Sequence, residues 1–115
     1  MILKNPMRFK IYLYSGYVDM RRSWSLYDFI KGTLNRDPLS ESLFLFSGRS
    51  RKLIKVFYWD GNGFCIWQKK LERGRFGWVS DSEKERTISP REMKWLLSGI
   101  DFRNKHKEIF FLSNK

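Results

Sequence analysis

The stretch Leu53-Ile-Lys-Val-Phe-Tyr-Trp-Asp-Gly-Asn-Gly-Phe-Cys-Ile-Trp-Gln-Lys-Lys70 decides the fold. Two runs rich in aromatic and branched side chains flank Asp60-Gly-Asn-Gly63, whose Gly and Asn residues accept the positive φ that a tight hairpin requires. If the turn sets Trp59 opposite Phe64, then Phe57 faces Ile66, Lys55 faces Gln68 and Leu53 faces Lys70. One end of the hairpin is then aromatic and the other basic.

Strands are also predicted on either side. Leu43–Phe46 precedes the hairpin, and a short Phe76–Val79 follows it through Glu72-Arg73-Gly74, a three-residue loop with Gly74 left-handed. Further upstream, Arg8-Phe-Lys-Ile-Tyr-Leu-Tyr14 alternates, with Phe9, Ile11 and Leu13 on one face and Arg8, Lys10, Tyr12 and Tyr14 on the other. That period of two marks a half-buried strand. Met20, Trp24, Tyr27, Ile30 and Leu34 recur at helical steps, and Ser25 with Asp28 has capping-box spacing. This helix ends before Pro38, which pushes Asp37 out of the α region. A second helix is predicted over Ser89–Ser98, with Ser89 as N-cap, Pro90 in the first turn, Glu92 completing a capping box and Gly99 as the stop. Its buried stripe is Met93, Leu96, Leu97 and Ile100. From Phe102 the chain carries Arg103, Lys105, His106 and Lys107, then Ile109–Leu112, which reads as either a final strand or an adhesive terminus. The expectation is one α+β domain over residues 1–115: an antiparallel β-meander of four to five strands packed with two helices.

Composition narrows the function classes. A chain of 115 residues fits one domain, and 42% apolar with 17% aromatic residues is ample for a core. The net charge of +11 favours a polyanionic partner, either nucleic acid or an anionic membrane surface. No apolar run approaches the roughly 18–20 residues of a membrane span, and the first residues lack the apolar core of a secretory signal. A cytoplasmic protein without membrane contact is therefore expected. Cys65 is the only cysteine, so neither an intrachain disulfide nor a thiolate metal cage can form. His106, the only histidine, leaves no material for a histidine zinc site. There is no P-loop or dinucleotide fingerprint. Asp19, Asp60, Glu72 and Asp101 are the acids from which a metal-dependent nuclease site would have to be built. Asp19 precedes a helix, Asp60 starts a turn and Asp101 follows a helix end, positions where acids serve local structure. Neither cofactor, metal nor catalytic residue is expected, and the chain reads as a non-enzyme.

The binding residues stand out more. Arg49, Arg51 and Lys52 come from one turn, Lys69, Lys70, Arg73 and Arg75 from the next, and Lys55 from the strand between. The hairpin register brings both runs to one rim of the sheet, with Glu72 the only acid between them. Lysines and arginines presented together are what phosphate contacts need. Polar turns and edge-strand protection also attract such charge. Arg21 and Arg22 extend the patch, and Tyr12, Tyr14, Tyr58, Trp59 and Trp67 are candidates for stacking on bases. Tyr12 and Tyr14 are expected to be exposed and the tryptophans to serve the core.

The same stretches resemble one known family. Val18-Asp-Met-Arg-Arg22 is similar to the T-D-M-R-K signature of the TnpB-type, second-open-reading-frame proteins of the bacterial IS sixty-six insertion sequences. Asp37-Pro38 with Leu43-Phe-Leu-Phe-Ser-Gly-Arg49 resembles that family's D-P-x-S and L-F-V-F-x-G-R stretch, and Ile54–Cys65 its I-K-V-L-x-W-D-G-x-G segment. Lys69-Lys-Leu-Glu-Arg-Gly-Arg-Phe-Gly-Trp78 resembles K-x-L-E-x-G-R-F-x-W, and Ile88-Ser89 with Leu96-Leu-Ser-Gly-Ile-Asp101 the closing L-L-x-G-I-D pattern. The resemblance covers about residues 17–101, in order, leaving a basic tail at 102–115. Ser47 stands where many relatives carry Arg or Asn, and Trp24 where many carry Phe. The resemblance implies an accessory protein of DNA transposition, encoded beside a larger transposase that holds the catalytic acids. The implied partners are DNA, at transposon ends, and the cognate transposase. An adaptor that docks on the transposase without touching DNA is the alternative.

Overall fold

The computed structural model describes residues 8–78 and 83–99. The decisive hairpin forms in the expected register. β3 (Leu53–Trp59) and β4 (Phe64–Lys70) pair Trp59 with Phe64, Phe57 with Ile66, Lys55 with Gln68 and Leu53 with Lys70. Its turn is closed by the Asp60 N–H donating to the Gly63 carbonyl at 2.7 Å. On the other side of β3 lies β2 (Ser42–Ser47), also antiparallel, with Phe44 opposite Phe57. These three strands are the meander.

The sheet departs from a pure meander at both remaining strands. β1 (Lys10–Tyr14) pairs parallel to β2, from Lys10 beside Ser42 to Leu13 beside Leu45. Parallel neighbours need a crossover, and the first helix supplies it. β5 (Glu85–Ile88) lies antiparallel on the outer edge of β1, giving the order β4-β3-β2-β1-β5. The fold is thus α+β, with a mostly antiparallel mixed sheet. The strand expected at Phe76–Val79 is corrected: Phe76 to Trp78 run as an unpaired segment, and Val79 lies outside the described residues. The alternating aromatics do mark burial, since Phe76 and Trp78 are 3% and 5% exposed, but they pack on a sheet face instead of joining a ladder. Glu85-Arg-Thr-Ile88 carries no apolar alternation, so only pairing with β1 identifies it as a strand.

Both faces of the sheet are covered, which explains why Leu43-Phe-Leu-Phe46 is apolar throughout. Leu43 and Leu45 face one cluster with Ile11, Leu13, Ile54 and Val56, closed by Met93 and Leu96 of α2 (Pro90–Leu97). Phe44 and Phe46 face the other, with Tyr12 and Phe57, closed by Leu26, Ile30 and Leu34. Tyr12 and Tyr14 are therefore not exposed stacking residues. Tyr12 is 7% exposed and stacked on Phe44 at 5.6 Å, while Tyr14 meets Phe29 edge-on at 5.0 Å.

α1 (Leu26–Asp28) passes directly into a π-helical turn (Phe29–Thr33), shown by the Leu34 N–H reaching back to the Phe29 carbonyl. The helix starts directly after Ser25, at Leu26. Ser25 makes no side-chain cap, and Trp24, left before the first turn, is 60% exposed instead of joining the buried stripe. α2 follows its sequence closely. The Glu92 N–H donates to Ser89 Oγ at 3.1 Å and the Ser89 N–H to Glu92 Oε1 at 3.0 Å. Gly99 stops the helix at φ 81°. Ile100, Asp101 and Ile109–Leu112 lie outside the described residues.

Candidate nucleic-acid interface

The two basic runs lie side by side. Beyond the last β3–β4 pair, the Leu71 N–H donates to the Lys52 carbonyl at 2.9 Å and the Phe76 N–H to the Arg51 carbonyl at 2.7 Å. The exit of β4 therefore tracks the β2–β3 turn. Gly74, at φ 76°, bends it there, although among the described residues no strand returns to complete a second hairpin. Arg49, Lys52, Lys70, Arg73 and Arg75 are all exposed along this end of the sheet.

The other three expected members are turned to the protein itself. Lys55 belongs to the face covered by α1 and is only 7% exposed; its Nζ donates to the Arg22 carbonyl at 2.7 Å. Lys69 points to the opposite face and donates to the Leu97 carbonyl at 2.8 Å, in the last turn of α2. A cation is favoured there by the partial negative charge of a helix C-terminus. Arg51, at φ 59°, turns its guanidinium back across the chain, donating to the carbonyls of Gly16 at 2.7 Å and Ser15 at 3.1 Å. It also lies 5.3 Å from the Trp78 ring centroid, and burial lowers its pKa from the ordinary arginine value. These three cations organise the rim more than they present it.

Replacing Lys55 by Met is accordingly expected to cost about 1 kcal/mol, because one hydrogen bond and one buried charge leave together. Affinity for duplex DNA should stay near the wild-type level, because the Lys55 ammonium is turned away from the exposed rim. Urea unfolding and a binding titration check both.

Two of these cations, Arg51 and Lys55, hold the loop between β1 and α1. With the Val18 N–H on the Ser47 carbonyl at 3.0 Å, they fix residues 15–22 beside the rim. Tyr17 is thereby set against Arg49, which donates to its hydroxyl at 2.6 Å and lies 4.7 Å from its ring centroid. Tyr17 belongs to no periodic segment, so the sequence carried no signal for its position. In the same loop Arg21 grips Asp19 at 2.6 Å. Hydrogen bonds from the Arg21 side chain and backbone hold the Asp19 carboxyl at about 2.

The candidate acids are scattered. Asp19 is paired with Arg21, Asp60 is in the distal hairpin turn, Glu72 is in the β4 exit and Asp101 lies outside the described residues. Among the described residues no group of three His, Cys, Asp or Glu is placed to hold a metal ion. Cys65 is half-buried against the α2 face beside Tyr58, whose hydroxyl is pushed up to about 12 by burial and by its hydrogen bond with Cys65.

The family described as "IS66 Orf2 like protein" matches residues 9–107, nearly the whole chain. The chain belongs to the IS66 Orf2-like family. Two relatives come from Sinorhizobium fredii (strain NBRC 101917 / NGR234). "Uncharacterized protein y4hO" is 39% identical over 104 residues, covering 90% of each chain. "Uncharacterized protein y4jC" is 31% identical over 94 residues, covering 80% of each. No solved structure matches. IS66 Orf2-like membership gives the chain an accessory role in insertion-sequence transposition. No helix among the described residues of this IS66 Orf2-like chain is long and apolar enough to cross a membrane.

Proposed function

We propose that the chain is a non-catalytic accessory protein that binds DNA, at or near transposon ends, and assists a separately encoded transposase. One observation carries this reading. The backbone bonds from Leu71 to Lys52 and from Phe76 to Arg51 lay two basic runs together, leaving Arg49, Lys52, Lys70, Arg73 and Arg75 exposed on one rim. Charges of one sign at that density suit a row of phosphates, and the net charge of +11 supplies the long-range attraction.

A salt titration tests it. Affinity should fall steeply as salt rises, and Arg49→Ala or Arg73→Ala should each reduce the slope by about one ion. Absence of binding to any DNA at low salt would falsify the reading. Co-purification with the transposase, undiminished by charge reversal at Lys52, Lys70, Arg73 and Arg75, is what an adaptor without DNA contact would give instead.

A further inference from the structure

We propose that the DNA recognised here carries unpaired bases, with Tyr17 and Trp24 stacking on them while the rim takes the phosphates. This rests on the rim reading above and names its substrate class. Tyr17 and Trp24 are 50% and 60% exposed, whereas Tyr12 and Tyr58 are buried and Trp59 and Trp67 half-buried. Among the described residues the aromatic rings left most exposed are therefore this pair, and Tyr17 meets the rim at Arg49. Both ride on the β1–α1 loop that Arg51, Lys55 and the Val18 N–H pin to the end of the sheet. Arg22 extends the anchoring, donating to the Ser25 carbonyl at 3.0 Å and lying 5.2 Å from the Phe29 ring centroid. A ring held in advance loses little freedom on stacking.

The surroundings select the ligand. A protein partner that buried these rings would want an apolar patch around them, but their exposed neighbours are Asp19, Arg21, Ser23, Ser25 and Arg49. Exposed rings interleaved with arginines match a strand in which base and phosphate alternate. Asp19 is the opposing acid, and its charge is taken up by Arg21. A duplex keeps its base faces stacked inside and offers nothing to such rings, so single strands and junctions are favoured.

The test compares a labelled single-stranded oligonucleotide with its duplex by fluorescence anisotropy, using the full chain at low salt. The single strand should bind more tightly. Tyr17→Ala and Trp24→Ala should each weaken it by about fivefold or more, and by a clearly larger factor than they weaken duplex binding. Tyr17→Phe and Trp24→Phe keep a ring and should bind like the wild type. They also guard against a variant that simply fails to fold. Equal affinity for both DNA forms, indifferent to either Ala substitution, overturns this inference and leaves the rim reading standing. Equal weakening of both forms also overturns it. Binding to neither form removes the rim reading as well.

Discussion

Trp78→Ala is expected to destabilise the domain by about 3–5 kcal/mol, the cost of emptying a large buried aromatic site. The side chain is 5% exposed in the cluster with Ile11, Leu13 and Val56, and its Nε1 donates to the Tyr14 carbonyl at 2.8 Å. That bond ties a segment outside the sheet ladder to the end of β1. A small domain is typically stable by only about 5–15 kcal/mol, so the loss should show as a large fall in the urea midpoint. Trp78→Phe should cost less, because it forfeits the donor but keeps much of the volume. A loss below about 1 kcal/mol in Trp78→Ala would mean that residues 76–78 do not pack on this face.

Arg51→Ala is the second large effect, at about 2–3 kcal/mol, because it deletes a charged group hydrogen-bonded to two backbone carbonyls. Arg51→Lys should rescue little, since an ammonium lacks the planar fork that spans the Ser15 and Gly16 carbonyls. Arg51→Gly should fare somewhat better than Arg51→Ala, because glycine takes the backbone φ of 59° without strain. The comparison with the exposed rim is the informative part. Lys52→Ala and Arg73→Ala should alter stability by no more than about 0.5 kcal/mol. If Arg51→Ala were equally silent in urea unfolding, the loop would not be held in the way described.

These variants also bear on what a basic residue in sequence can signify. Arg49, Arg51 and Lys52 are near neighbours in one turn and look equivalent. Arg49 and Lys52 face solvent, whereas Arg51 is turned back across the chain by its left-handed backbone. Lys55 and Lys69 belong to the same count of charge, yet each ends on a backbone carbonyl of a different element. The convergence of two basic runs was legible, because it follows from the register of one hairpin. Which cations remain free to meet a ligand was not. Tyr17 and Trp24 tell the same story from the aromatic side, one without any periodic signal and the other with a helical spacing that pointed inward.

By itself the sequence determined the features whose hydrogen bonds close within a few residues. The Asp60–Gly63 turn and the register it sets, the capping box at Ser89 and the stop at Gly99 all belong here. It also carried the family signature along nearly the whole chain. Only the tertiary structure decided that β1 lies parallel to β2, that Glu85–Ile88 forms the outer strand and that Phe76 to Trp78 do not pair. It likewise decided which faces of β1 are covered, burying Tyr12, and which cations turn inward. The physical reason is the same throughout. Turn and capping chemistry is satisfied by neighbours along the chain, whereas burial and strand partnership depend on elements dozens of residues away.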